Sequence, residues 1–178
     1  MSRFIVVPLA LLTGCVTNAV RQLPPDVIAK SKHAVVVYGV GVEGRWPYSQ
    51  FAIQLAEYNI KDQAGAGNCF VFNRTEAAVT SAPGAVRYFT FEVPAGHYVY
   101  SAFNGAPLAG ETLAFKAAEG HAAYLGDFIY TSAKRVELRR NSESLELALP
   151  EVFPDMRGKL VLAEAVAVRP PKAFLCAP

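Results

Sequence analysis

The stretch 86–103, VRYFTFEVPAGHYVYSAF, decides the fold class of this chain. In its first half every second residue from Phe89 to Val93 is apolar, which is the period of a half-buried β-strand. Pro94-Ala95-Gly96 follows and suits a tight turn, because proline fixes φ at the first corner and glycine tolerates positive φ at the last. His97–Phe103 then continues as the second strand-like run. The stretch therefore predicts two antiparallel strands joined as a β-hairpin.

Similar strand patterns recur along the chain between clusters of Gly, Pro and Asn. The other predicted strands are His33–Val42, Ser49–Tyr58, Asn68–Asn73, Glu111–Ala117, His121–Thr131, Lys134–Arg140 and Lys159–Val168, with a second hairpin around Glu119-Gly120. One short helix is predicted near 142–153, where a polar cap precedes acidic residues and a spaced apolar face. These elements predict a mainly β domain over 33–178, a two-layer antiparallel β-sandwich of about eight or nine strands.

The composition is that of one packed domain. Of 178 residues, 52% are hydrophobic and 18% are charged, which argues against disorder. No apolar run approaches the roughly 20 residues that a membrane-spanning helix needs. The net charge is +2 without any run of Lys or Arg, so the chain lacks the concentrated basic surface that nucleic-acid binding requires.

The first fourteen residues have the layout of a secretion signal. Arg3 supplies a positive charge, and 4–12 is an apolar run too short to span a bilayer. The run ends in Leu12-Thr13-Gly14-Cys15, which resembles the lipobox of bacterial lipoproteins. The resemblance implies that residues 1–14 are removed as a signal peptide. It also implies that Cys15 receives diacylglycerol and, on its new amino group, a fatty acid such as palmitate, which anchor the protein to a membrane.

The resemblance also implies a location in the cell envelope. Val16, and not Asp, follows the cysteine, which implies delivery to the outer membrane, facing the periplasm, in a Gram-negative host. Residues 15–32 lack sustained periodicity and contain Pro24-Pro25, so the lipidated N-terminus is predicted to continue as a flexible tether.

Two cysteines remain after Cys15. Export places Cys69 and Cys176 in an oxidising compartment, where they are predicted to form a disulfide. The alternatives are two buried thiols or a reactive Cys69.

Candidate catalytic groups are few. Gly39–Gly44 matches GxGxxG, but a strand pattern follows it instead of the helix that a dinucleotide site needs, and the match is rejected. His97 and His121 start predicted strands and could meet at one end of the sandwich with Asp127. That trio supports the alternative function, a hydrolase or metal-dependent enzyme. No cofactor and no metal are predicted.

Exposed aromatic residues favour binding instead. Trp46 and Tyr48 occupy a Gly/Pro loop and form a possible binding surface, since such rings give rigid contact area at low entropic cost. An aromatic stripe on one sheet face is a further possibility, formed by Tyr88, Tyr98, Tyr100, Tyr124 and Tyr130. In the competing structural interpretation the tyrosines cover the sheet and Trp46 plugs the open end of the sandwich.

The turn Val93–Tyr98 resembles one common in prealbumin-like β-sandwich modules and in small β-rich bacterial lipoproteins. This resemblance concerns the fold and not an activity. The sequence as a whole favours a lipid-anchored, non-enzymatic binding or scaffolding module of the cell envelope. Its expected partners are the membrane, through the N-terminal lipid, and either another envelope protein or a glycan.

Overall fold

A computed structural model describes residues 17–24, 32–141, 146 and 160–172. Over these residues the chain is mainly β and forms fourteen strands. In chain order they are β1 (Thr17–Asn18), β2 (Arg21–Leu23), β3 (His33–Val42), β4 (Gln50–Asn59), β5 (Ala64–Gly65), β6 (Val71–Phe72), β7 (Arg74–Thr80), β8 (Arg87–Pro94), β9 (Gly96–Ser101), β10 (Leu113–Ala117), β11 (Ala122–Tyr130), β12 (Val136–Arg139), β13 (Leu160–Leu162) and β14 (Ala165–Ala167).

Two six-stranded sheets form the sandwich. Sheet I has the order β12-β11-β3-β8-β2, with β13 also beside β11. Sheet II has the order β14-β10-β9-β4-β5, with β7 also beside β4. β1 and β6 form a separate parallel pair. The sandwich class is thus as predicted, and sheet II is antiparallel. Sheet I is mixed, because β11 runs parallel to both β3 and β13.

The core lies between the two sheets and follows the alternation of the strands. Val36 and Tyr38 of sheet I and Phe51 and Phe115 of sheet II belong to one buried cluster. The Tyr38 hydroxyl is satisfied inside this core by Thr75, with 2.9 Å between the two oxygens. Removing such large apolar surfaces from water is the main source of stability for a sandwich of this size.

Both predicted hairpins are wrong. β8 pairs with β3 and β2, whereas β9 pairs with β4 and β10, so Pro94-Ala95-Gly96 carries the chain from sheet I to sheet II. The turn at Glu119-Gly120 likewise leads from β10 in sheet II to β11 in sheet I. Turn residues specify that the chain reverses, but the partner of each strand depends on residues far away in sequence.

The predicted flexible tether is wrong for residues 17–24. β2 extends the edge of sheet I, with Gln22 opposite Phe91. β1 lies beside β6, and Asn18 Nδ2 donates to the carbonyl of Arg74 at 2.8 Å. These residues lack a periodic pattern because two- and three-residue strands are too short to show one. Residues 15, 16 and 25–31 lie outside the described part of the chain.

Two other elements differ from the sequence-based expectation, and a third cannot be compared with it. β7 was not predicted, although Thr75, Ala77 and Val79 alternate inward along it. The last predicted strand is two strands, β13 in sheet I and β14 in sheet II. The predicted helix at 142–153 lies outside the described residues except for Glu146, which is helical and exposed. Counting the short strands, the total exceeds the eight or nine expected.

The strand directions define two ends of the sandwich. At the Trp46 end, β3 finishes at Val42 opposite Tyr130, and β4 begins at Gln50. At the β1 end, β3 begins at His33 opposite Pro94, and the pair β1–β6 is bonded to Arg74 at the start of β7. Ten residues of β3 separate the ends, which corresponds to roughly 30 Å.

Candidate functional site

Trp46 closes the core at the Trp46 end. Its ring is half-buried and meets Phe51 and Tyr130 edge to face, with centroid separations of 5.0 and 4.8 Å. The indole Nε1 donates to the carbonyl of Gln50 at 2.8 Å. The structural interpretation of Trp46 as a plug is therefore correct, and the ring acts as a rigid base for the loop that follows it.

Tyr48 stands on this base and faces solvent. It is 69% exposed, and its ring lies edge-on to Trp46 at 5.8 Å between centroids. Phe103, at the same end of the sandwich, is 47% exposed. The loop bearing Phe103 is fixed to β4, because Asn104 Nδ2 donates to the carbonyl of Ala52 at 2.8 Å. We call Tyr48 and Phe103 the Tyr48 surface.

The predicted aromatic stripe does not exist. Tyr98, Tyr100 and Tyr130 point into the core between the sheets, whereas Tyr124 and Tyr88 lie on the outer face of sheet I. The stripe assumed that β8 and β9 share a sheet, and they do not. Burial of these rings supports the structural interpretation of the tyrosines.

The proposed catalytic trio does not converge. His121 lies just before β11 at the β1 end and is exposed, with Nδ1 2.7 Å from the carbonyl oxygen of Glu119. His97 lies at the same end, opposite Lys116, so the two histidines share an end as predicted. Asp127, by contrast, sits opposite Gly39 in the middle of sheet I. Asp127 lies six positions after His121 along the chain, a distance of roughly 15–20 Å.

Asp127 belongs instead to a buried cluster on the outer face of sheet I. The Tyr124 hydroxyl donates to Asp127 Oδ1 at 2.6 Å. A β-bulge between these two residues places both side chains on one face, and Gly126 allows it with φ of 124°. Gly39 makes the room, because a Cβ there would lie 2.1 Å from Asp127 Oδ1.

Burial governs the protonation of this cluster. Desolvation raises the pKa of Asp127, although the hydrogen bond from Tyr124 and the charge of Arg139 oppose the change. Desolvation and the Asp127 charge together raise the pKa of Tyr88 to about 12. The sequence signal for this cluster was Gly126-Asp127 within an otherwise apolar strand. Its partner Gly39 lies 88 residues earlier and is not indicated by local sequence.

A groove of about 340 Å³ lies at the β1 end between His121, Lys116 and Glu164. Lys116 Nζ and Glu164 Oε2 form an ion pair at 2.8 Å, and both side chains are largely exposed. The hydrogen bond from Lys116 lowers the pKa of Glu164. Within the described ranges, no three His, Cys, Asp or Glu side chains are grouped as metal ligands.

Two of the three predicted cysteine sites cannot be placed. Cys15 and Cys176 lie outside the described residues, and Cys69 is half-buried in the turn before β6. Lipidation of Cys15 and the disulfide between Cys69 and Cys176 therefore stay predictions. In the part of the chain that the structure describes, no helix is long and apolar enough to cross a membrane.

Comparison with known proteins identifies no relative: no family model, curated protein or solved structure matches this chain.

Proposed function

We propose that this chain is a lipid-anchored cell-envelope protein and works as a non-enzymatic binding or scaffolding module. The lipid is carried by Cys15, and the Tyr48 surface contacts the partner. In a Gram-negative host the domain faces the periplasm from the outer membrane. The partner is another envelope protein or a glycan.

The observation that carries this proposal is that Thr17 and Tyr48 lie at opposite ends of the sandwich. Thr17, two residues after Cys15, donates its backbone N–H to the carbonyl of Phe70 at 2.7 Å, at the β1 end. Tyr48 lies at the Trp46 end, about 30 Å away along the strands. A domain anchored at one end and carrying exposed aromatic rings at the other presents those rings away from the membrane.

The chemistry of the Tyr48 surface suits recognition more than catalysis. An exposed tyrosine with a rigid base loses little entropy on binding and offers both a flat apolar face and a hydroxyl. Trp46 supplies the rigid base. Asp127, the most deeply buried member of the alternative catalytic trio, is committed to Tyr124 and remote from His121.

Photo-crosslinking in native membranes tests the binding role. A benzophenone amino acid at position 48 is expected to give adducts of defined mass, which mass spectrometry identifies as protein or glycan. The matched control is position 166, because Val166 is 46% exposed but lies on β14, away from the Tyr48 surface. Identical adducts from both positions, or none from position 48, would overturn the proposal.

Binding affinity of the variant Tyr48→Ala gives a quantitative test. Since the side chain is 69% exposed, the variant should fold normally. Affinity for the crosslinked partner should fall about tenfold or more if Tyr48 is a principal contact. Unchanged affinity would exclude Tyr48 as that contact.

The disulfide between Cys69 and Cys176 is part of the proposal. It would close a loop of more than a hundred residues, for which chain entropy gives roughly 4–5 kcal/mol. Alkylation followed by intact-mass measurement is expected to label neither thiol before reduction and both afterwards. Labelling of both thiols without reductant would exclude it.

A further inference from the structure

Two exposed apolar side chains lie beside the start of β1, one at the end of the turn between β5 and β6 and the other at the first residue of β6. Phe70 is 62% exposed and Val71 is 53% exposed. Thr17 pairs with Val71 in the parallel register of β1 and β6. We call Phe70 and Val71 the Phe70 tip.

We propose that the Phe70 tip inserts into the interfacial region of the bilayer that holds the Cys15 lipid, and so fixes the orientation of the domain. The inference rests on the proposed lipid anchor and adds a second membrane contact to it. The binding partner of this apolar tip is the lipid bilayer itself.

The chain between Cys15 and Thr17 is short enough to keep the Phe70 tip near the membrane. If cleavage occurs before Cys15, only Val16 connects the lipid-bearing cysteine to Thr17. These two residue steps span at most about 7 Å in an extended chain. Thr17 is held to Phe70 by its backbone hydrogen bond of 2.7 Å. The Phe70 tip therefore has to lie within a side chain's length or two of the point where the acyl chains enter the membrane.

Moving the Phe70 tip out of water leaves none of its backbone groups without a hydrogen-bond partner. Backbone groups that enter a membrane interface without hydrogen-bond partners are costly. Here Asn68 Oδ1 accepts from the N–H groups of Phe70 and Val71 at 2.8 and 3.0 Å, and Asn68 N donates to the Val71 carbonyl at 2.8 Å. The Phe70 carbonyl accepts from Thr17. The polar backbone of the tip is thus satisfied internally, while its side chains project.

The turn that carries the Phe70 tip has a fixed shape. Gly67 adopts φ of 94°, and a Cβ there would lie 2.5 Å from the Val71 carbonyl oxygen. The turn is therefore tight and fixed, so the tip is presented in one conformation. Interfacial membrane binding strengthens with the apolar area that is buried at the boundary between headgroups and acyl chains, and the Phe70 tip offers such area in a fixed shape.

The test is tryptophan quenching in the lipidated full-length protein. The protein is reconstituted into vesicles of phosphatidylethanolamine and phosphatidylglycerol whose acyl chains are brominated near the carbonyl end. The wild-type chain has a single tryptophan, and Trp46 lies at the opposite end of the sandwich, so it supplies an unquenched baseline. Phe70→Trp adds a reporter at the tip, and Tyr48→Trp adds the matched control at the far end.

The expected result is strong quenching of the added signal in Phe70→Trp and none in Tyr48→Trp or in wild type. Equal quenching at both positions would mean that the domain lies on its side, and this overturns the inference. Absence of quenching at position 70 in protein that floats with the vesicles overturns the inference but leaves the anchor intact. Protein that carries no lipid and does not float overturns the inference and the proposed function together.

Discussion

At the scale of single residues, Gly39 is a position where the fold leaves no room for a side chain. A Cβ at this position would lie 2.1 Å from Asp127 Oδ1 and 2.6 Å from Val86 Cγ1. The glycine therefore belongs to the packing of sheet I and not to a nucleotide-binding loop, which agrees with rejection of the GxGxxG match on sequence grounds.

Gly39→Ala should lower the free energy of unfolding by about 1–3 kcal/mol, the usual cost of overpacking a filled site. Gly84→Ala is the matched control, because its Cβ would meet nothing closer than the Ala82 carbonyl oxygen at 3.9 Å. That control should stay within about 0.5 kcal/mol of wild type. Chemical denaturation measures both, and equal effects at the two positions would contradict the close packing around Asp127.

Asp127→Asn tests the electrostatics of the same cluster. Because burial raises the pKa of Asp127 in the folded state, the folded protein binds the proton more tightly than the unfolded chain. The Asp127 contribution to stability therefore falls as pH rises from the unfolded value of 3.8 through the folded pKa. Asparagine keeps an acceptor for Tyr124 and does not titrate. The variant should gain stability relative to wild type across that window.

Denaturation curves at several pH values check this expectation. The variant should be at least as stable as wild type at neutral pH. A variant that loses stability relative to wild type as pH rises through that window would show instead that the Asp127 charge is stabilised by a partner. Tyr124→Phe, which removes the donor, should cost about 1–3 kcal/mol by leaving a buried acceptor unpaired.

At the scale of elements, β2 is held to sheet I by a buried carboxylate. Glu92 is 3% exposed and is bonded by Arg21 and by His33 Nδ1, the latter at 3.0 Å. Burial opposes ionisation, but the hydrogen bonds and charges of His33 and Arg21 outweigh it and lower the pKa of Glu92. Its contribution to stability is therefore present above the unfolded value of 4.5 and is lost as pH falls through the folded pKa.

Arg21→Ala should lower the free energy of unfolding by about 1–3 kcal/mol at neutral pH, because one partner of a buried charge is removed. The effect should shrink on acidification and largely disappear in a Glu92→Gln background. A double-mutant cycle measures the coupling. An Arg21→Ala effect that is unchanged by Glu92→Gln would contradict this account of how β2 is attached.

The elements also show how far the sequence predicts the fold. Strand positions were mostly predictable, because alternation is local: β3 has the predicted bounds, His33–Val42. Strand partners were not, and both expected hairpins are crossovers between sheets. The candidate site likewise has a part that local sequence predicts and a part that depends on distant residues. The loop bearing Trp46 and Tyr48 was identified by composition, but burial of Trp46 depends on Tyr130, which is 84 positions away.

At the scale of the whole molecule, pairing of residues 17–24 with the domain changes the height above the membrane that the proposed lipid anchor implies. A flexible tether over 15–32 would hold the domain off the surface by roughly 20–25 Å. With β1 and β2 in place, only Val16 separates Cys15 from Thr17, the first residue of the fold. Neutron reflectometry of the lipidated protein on a supported bilayer should therefore show protein density directly adjoining the headgroups.

A matched control inserts a flexible Gly/Ser segment between Val16 and Thr17. It should open a solvent layer between headgroups and protein, whose thickness grows with the length of the insert. A solvent layer already present in the wild-type protein would contradict attachment of β1 and β2 to the domain at the membrane.

The lipid on Cys15 is the central claim, and the N-terminal peptide of the mature protein tests it most directly. β1 and β6 are parallel with Thr17 opposite Val71, so Cys15 and Cys69 each precede a paired position by two residues. A disulfide between them is therefore the competing use of the Cys15 thiol.

The measurement is mass spectrometry of the N-terminal peptide after growth with an alkyne-tagged fatty acid, compared with Cys15→Ala. The expected peptide begins at Cys15 and carries tagged lipid, and the variant has no label and does not attach to the membrane. An unlipidated Cys15, or one linked to Cys69, would contradict the lipid anchor.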